Sequence, residues 1–492
     1  MPARILSFIF LFFAVNLLSA SEPVIRENSF QSDCPIIRAE RPFQFSVIIE
    51  NGNSPDISCR LILPEDGSTR TPCDVNRETS AAVFSWDVVC AESGQKEFSL
   101  ELLKDGEIIQ KNTISQIVLP PREIEKLEYI PEPKPVKTDI LVGAHNCPLW
   151  EADRAELWNQ VVKKHQERTP ALGIYSQDHP ELADWETKWA VEHGVSFFIY
   201  CWYRTTQGGA ITTRFEKSVF DDALFLSKFG DQMKFTIMWE NQHRGFSGIA
   251  DENDLLENLL PYWIEKFFRR ENYLKIDNKP VLFVYVPTMV SDDLGGDENA
   301  RIAFDKMREA CREAGFDGLY ILGEYRGGDQ DVITRFRNLG LDASFAYCWH
   351  VWDSPPPEAV IRDQQEKIRK IQSMRDILPT VITLSQAWSG WQDEGSIWKL
   401  PPEDFETLLR WGKDFIAETM EEKELGARMI ILDNWNEWSE GHYIAPYREY
   451  GFGYLDAVRR VFSDSPEEHE DLLPEDIGMG PYSLPAEYFK EK

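Results

Sequence analysis

Residues 427–441 read ARMIILDNWNEWSEG: an apolar run from Met429 to Leu432, then a polar loop flanked by tryptophans. A short run that is apolar on successive positions reads as a strand buried on both faces. Seven earlier runs share this character: ILVGAH (140–145), GVSFFIYCW (194–202), MKFTIMWE (233–240), KPVLFVYVP (279–287), GLYILGE (318–324), DASFAYCW (342–349) and TVITLSQ (380–386). Amphipathic helical stretches lie between most of them, among them DLLENLLPYWIEKFFRR, AFDKMREACREAG and PEDFETLLRWGKDFIAETM. Eight strands alternating with helices over residues 139–465 predict an α/β fold, a (β/α)8 TIM-type barrel. The rival, an open doubly wound sheet, calls for a glycine-rich phosphate loop after the first strand, and ILVGAH is not followed by one.

In such a barrel the chemistry sits at the C-terminal ends of the strands and in the loops beyond them. His145 and Asn146 follow the first strand; Tyr200, Trp202, Tyr203 and Arg204 end the second. Trp239, Glu240, Asn241, His243 and Arg244 end the third, and Glu324, Tyr325 and Arg326 the fifth. Tyr347, Trp349 and His350 end the sixth, Gln386 and Trp388 the seventh. Asp433, Asn434, Asn436, Glu437 and Glu440 end the eighth, with Trp438 and Tyr443 in the same loop. The expected result is a polar and aromatic rim above an apolar barrel.

Glu437 and Glu440 stand three residues apart, interleaved with Trp435 and Trp438. In a tight helical turn that spacing puts both carboxylates on one side. Two close carboxyls in a partly apolar cleft push their pKa values apart, so that one holds a proton while the other stays ionised. Cleavage of a glycosidic bond needs that pair of roles. An isolated E-x-x-E is more often a cap and a surface ion pair; the strand-end position is what lifts this one.

The rest of the chain sets bounds. Residues 22–120 hold short apolar runs separated by ENG, EDG and KDG turns, which predicts a small β-sandwich resembling immunoglobulin-like modules. A Pro-rich stretch, 121–138, predicts an extended, stiff linker, and 466–492 forms a C-terminal extension. Residues 1–20 carry one early Arg, an apolar run and small residues near Ala20, the pattern of a secretory signal peptide. Export to a periplasmic or extracellular space permits disulfides. Two bridges are therefore expected among Cys34, Cys59, Cys73 and Cys90, with buried free thiols at Cys147, Cys201, Cys311 and Cys348. A net charge of −31 argues against nucleic acid as a partner, and no later run is long and apolar enough for stable membrane insertion. A polyanionic substrate stays open if the cleft is locally basic. No cofactor is called for, and no His, Cys or Asp set has metal-ligand spacing, although a loop-built calcium site stays open.

The segment NWNEWSEGHYIAPYREYGFGYLDAVRRVF resembles the C-terminal signature of the WbsX-type family, whose catalytic domain is similar to glycoside hydrolase family 99. The core is Asn436, Glu437, Trp438, Glu440 and Gly441, followed by Tyr450, Gly451, Tyr454 and Leu455. GVSFFIYCWY, FTIMWEN, YLKIDNKPVLFVYVP and GFDGLYILGEY fit as well, so the resemblance spans roughly residues 139–462. It implies a retaining enzyme working through the 2-hydroxyl and a 1,2-anhydro-sugar. It gives Glu437 the role of base toward that hydroxyl, and Glu440 that of acid toward the leaving group. Ala445 stands where such families carry an acid, and Ser439 and His442 also depart from the family 99 loop, so mannose specificity does not carry over.

The combined expectation is a secreted glycoside hydrolase acting on a poly- or oligosaccharide through Glu437 and Glu440. Substrate contacts are expected from His145, Tyr200, Trp202, Trp239, Glu240, Arg244, Glu324, Trp349, Trp388, Asn436, Trp438 and Tyr443. A glycosyltransferase of surface polysaccharide synthesis and a noncatalytic glycan-binding barrel are the alternatives.

Overall fold

The computed structural model describes residues 22–243, 245–390, 396–466, 469–480 and 482–484. The signal-peptide reading of residues 1–20 and the substrate contact expected from Arg244 lie outside them. The chain divides into two compact units. One holds the described residues up to Asp33 together with Phe43–Val88 and Glu97–Ile114; the other holds Cys34–Pro42, Val89–Lys96 and everything from Ser115 onward.

The first unit is built from antiparallel strands. Phe43–Glu50 pairs along its length with Ala81–Val88, and both alternate between buried and more exposed positions. That period of two makes one face of the sheet apolar. Phe45 of this sheet packs against Phe98 of the Gly94–Lys104 strand, with ring centroids 4.7 Å apart, so a second sheet supplies the opposite wall. Cys59 and Cys73 are free thiols, so the two expected bridges are not both made. Cys59 is buried on its strand, and Cys73 donates to the Ser85 carbonyl at 3.3 Å. Cys147, Cys201, Cys311 and Cys348 are buried free thiols, as expected.

In the second unit seven strands lie parallel in one sheet. In chain order they are β1 (Leu141–Asn146), β2 (Phe197–Arg204), β3 (Lys234–Glu240), β4 (Lys279–Val284), β5 (Tyr320–Glu324), β6 (Ala343–Phe345) and β7 (Met429–Asn434). Neighbours run β6-β5-β4-β3-β2-β1-β7. The expected seventh strand, 380–386, forms no regular strand. It makes single parallel bridges to both sheet edges, Thr380 to Ser344 and Thr383 to Ile431. Pro379 at its start offers no N–H to a ladder, which shortens the pairing. Gly143 in β1 is required by close approach: a Cβ there would stand 2.2 Å from the Phe197 ring of β2.

Helices cover the sheet, and the core is one continuous apolar cluster. The helix expected over DLLENLLPYWIEKFFRR is broken into wider π turns (Asp254–Leu259, Ile264–Phe268) around a short α turn (Leu260–Trp263). Pro261, which cannot donate the regular bond, sits inside it. The linker is extended and pinned along this unit: Glu125 N donates to Asp476 O at 2.9 Å, and Val136 N to Val191 O at 3.0 Å. Asp476, in the C-terminal extension, is buried and accepts from the Arg38 Nε at 2.7 Å. Among the described residues no helix is long and apolar enough to cross a membrane.

Candidate active site

β7 ends at Asn434, and the chain then folds back on itself. Glu437 and His442 pair as an antiparallel bridge around a four-residue turn, with His442 N donating to Glu437 O at 3.3 Å. The turn is therefore of hairpin type, and the helical turn expected for the two glutamates is not formed. Gly441 explains why: its φ of 74° is a left-handed conformation that closes the hairpin and stops a right-handed helix. Both carboxylates nonetheless line the same cleft, about 220 Å³ in volume, with Tyr203, Glu240, Tyr285 and Tyr347.

The turn is held from behind. The Trp150 indole donates to Asn436 O at 2.9 Å, and Cys147 N to Asn436 Oδ1 at 2.7 Å. Arg168 reaches Trp438 O at 3.2 Å, and Ser389 donates through its N and Oγ to Glu440 O at 2.7 and 2.8 Å. Asp433 sits at a positive φ of 42°, a rare conformation for a non-glycine residue and one that strained functional sites favour. It receives the His442 Nδ1–H at 2.7 Å, and His442 Nε2 lies 3.2 Å from Glu440 Oε2.

This Asp433–His442–Glu440 chain decides the electrostatics. Burial alone would keep His442 neutral, but the charges and hydrogen bonds of Asp433 and Glu440 win and raise it to about 10. Burial would also raise Glu440. The hydrogen bond and charge of His442, with Arg326 and His350 behind it, outweigh burial and hold Glu440 below the usual carboxylate range. Glu437 feels His442 only as a charge and lacks the hydrogen bond that His442 shares with Glu440. Burial, and then the negative charge of Glu440, push it up to about 7, despite a 2.7 Å hydrogen bond from Ser439 Oγ. One carboxyl thus retains a proton near neutrality while the other is ionised.

The other expected site residues divide. Glu240 lines the cleft, and burial raises it to about 7; its Oε2 finds no partner among the described residues. Glu324 accepts from Arg326 Nε at 2.5 Å, and Arg326 also donates to Tyr285 Oη at 2.9 Å and contacts His350. Trp388 is buried and stacks on His350 at 4.2 Å, with exposed Trp352 edge-on to it at 5.1 Å. The remaining tryptophans point away from the cleft. Trp202, Trp239, Trp349 and Trp438 are fully buried, and each indole N–H is spent on an internal partner: Glu216, Ser247 O, Thr383 O and Tyr175 Oη. Tyr200 packs outward on Phe220 at 4.9 Å, and Tyr443 against Trp438 at 4.5 Å. Asn436 is consumed in holding the turn. His145 is buried 4.8 Å from the Tyr347 ring, and burial drops it to about 3, so it is neutral.

Sequence reasoning did not assign Arg154, Arg214, Phe215 or Tyr285 to the cleft, yet all four line it. Arg154 lies in the segment beyond β1 and Arg214 in a two-residue strand, Thr213–Arg214, beyond β2, both too far from the strand ends for the strand-end rule to mark them. Among the described residues one group has ligand atoms close enough for a metal ion: His193, His469 and Asp471. His193 caps the C-terminus of the helix Pro180–Glu192, ahead of the N-terminal end of β2, whereas the carboxylates follow the C-terminal end of β7. Its Nε2 is 3.6 Å from Asp456 and 3.1 Å from Asp471, and these two carboxylates raise His193 against its burial.

The family model described as Glycosyltransferase WbsX matches residues 157–458. A curated relative, the "Uncharacterized protein WxcX" of Xanthomonas campestris pv. campestris (strain B100), is 23% identical over 379 residues, 69% of this chain and 49% of its own. The chain thus spans about half the length of the curated relatives it matches. Among solved structures, the GH99 endo-alpha-mannosidase from Bacteroides thetaiotaomicron is 12% identical with a TM-score of 0.42, covering 66% of this chain and 96% of that one. A family 39 glycoside hydrolase from Bacteroides cellulosilyticus WH2 is 10% identical with a TM-score of 0.38, covering 90% and 83%. The family match takes in more than half of the chain, from the helix after β1 through the Glu437–Glu440 turn to the helix beyond it, and the chain belongs to the WbsX glycosyltransferase family.

Proposed function

We propose that the protein is a glycoside hydrolase, built on an eight-membered barrel whose seventh position is the 380–386 segment, and acting on a poly- or oligosaccharide. The observation that carries this reading is the split ionisation of Glu437 and Glu440 across one cleft. Glycosidic cleavage needs a proton for the leaving oxygen and a carboxylate to receive one.

In the resting enzyme Glu437 holds the proton and Glu440 the charge, the reverse of the roles the sequence resemblance implies. We assign the roles accordingly. Glu440 takes the proton of the sugar 2-hydroxyl as O2 closes on C1. The bond from C1 to the leaving oxygen breaks, and Glu437 protonates that oxygen. Water then opens the 1,2-anhydro-sugar at C1, giving its proton to Glu437, while Glu440 returns the other to O2. Both carboxyls end as they began, and configuration is retained. The leader-like N-terminus puts this activity outside the cytoplasm, and the N-terminal sheets, an immunoglobulin-like module in our reading, act as a spacer.

Glycosyl transfer, the activity in the family's description, shares the first half of this scheme and differs in the acceptor. A polysaccharide panel with product analysis separates the two. Hydrolysis releases new reducing ends in water, whereas transfer yields elongated products and needs an added donor. Elongation without net release of reducing ends would sink the hydrolase assignment.

A further inference from the structure

Two arginines line the cleft, in a chain whose net charge is −31. Arg154 and Arg214 both line the cleft that holds Glu437 and Glu440. They lie over one ring, Phe215, at 5.0 Å and 4.7 Å from its centroid. Phe215 is buried and held at a φ of 65°, a conformation that costs a bulky residue and persists only where the surroundings enforce it. Its neighbours do enforce it. Tyr203 meets it edge-on at 5.6 Å, and Glu216 is tied to the Trp202 indole at 2.5 Å. Arg214 is fixed by strand pairing with Tyr203.

Two guanidiniums brought to one ring repel each other unless an anion lies between or before them. The carboxylates at hand do not neutralise the pair. Glu156 reaches Arg154 Nε at 3.1 Å but is largely exposed, and Glu151 is committed to Ser218 Oγ at 2.6 Å. Arg214 makes no ion pair among the described residues, and the buried Nη1 of Arg154 has no hydrogen-bond acceptor among them. Planar guanidiniums with open N–H groups beside a sugar cleft match the geometry of a carboxylate or a sulfate oxygen set.

We propose that the Arg154–Phe215–Arg214 stack is a subsite for an acidic sugar, so that the substrate carries a uronate carboxylate or a sulfate ester. The inference rests on the glycan reading of the cleft and narrows its substrate class.

The test is titration calorimetry of the full chain with tetragalacturonate, a sulfated galactan tetrasaccharide and neutral galactotetraose. At least one acidic probe should bind about tenfold or more tightly than the neutral one, the size of a charge-assisted contact. Which acidic probe prevails distinguishes carboxylate from sulfate. Arg214→Gln, at an exposed position, and Arg154→Gln should each erase that preference, bringing acidic binding down to the level of the neutral probe. Equal affinity for all three probes, no acidic binding, or a preference that survives both substitutions overturns the proposal. If acidic binding is Arg-dependent but no glycan is hydrolysed, the subsite stands and the hydrolase reading falls.

Discussion

At the scale of single residues, the site turns on His442. It was visible in the sequence only as a departure from a family loop, because its partner Asp433 lies nine residues away and the contact depends on a hairpin. Glu437 and Glu440 were legible as a pair; which of them holds the proton was not, since that depends on the cation folded against Glu440. The tryptophans misled for a related reason. A ring at a strand end reads as a sugar platform, but Trp202, Trp239 and Trp349 spend their N–H groups inside the protein. A pH prediction follows from His442. Its folded pKa, about 10, lies above the ordinary histidine value of 6.5, so the folded state keeps a proton that the unfolded chain releases. The stabilisation is fully present below pH 6.5 and is lost as pH rises toward 10. Glu437, raised from 4.5 to about 7, tilts stability the same way over that lower range. The midpoint of thermal unfolding should fall between pH 6.5 and 9.5, and the fall should flatten in His442→Gln. An unchanged slope in that variant would remove the buried imidazolium from the account.

Among the elements, seven of the eight expected strands form within a few residues of their predicted bounds, because buried parallel strands advertise themselves as apolar runs. The eighth candidate shows where that signal ends. TVITLSQ has the right composition, yet Pro379 and divided pairing leave it as single bridges to β6 and β7. The Glu437–His442 hairpin is the element that aims both carboxylates, and Gly441 is its hinge. A Cβ at that position would meet Ser389 Oγ at 2.9 Å and Arg168 Nη2 at 3.0 Å, in a conformation that already disfavours a side chain. Gly441→Ala should cost about 1–3 kcal/mol in urea unfolding and lower activity further than stability alone explains. Wild-type stability in that variant would show that the turn is not under the constraint described.

For the molecule as a whole, the mixed α/β character with its parallel sheet followed from the hydrophobic periodicity along the chain. What did not follow was the charge of the cleft, because net charge is a sum and a cleft is a selection from it. A chain of −31 sets two arginines against its candidate substrate. The central claim is that Glu437 and Glu440 act on one glycosidic bond with unequal roles. The most direct measurement is kcat/KM for Glu437→Gln and Glu440→Gln on a cleaved glycan and on the matching glycosyl fluoride, whose leaving group needs no acid. Both variants should lose about 10²–10⁴-fold on the glycan. On the fluoride Glu437→Gln should recover to near wild type, while Glu440→Gln should not. Full glycan activity in both variants, or rescue of Glu440→Gln instead of Glu437→Gln, would contradict the account.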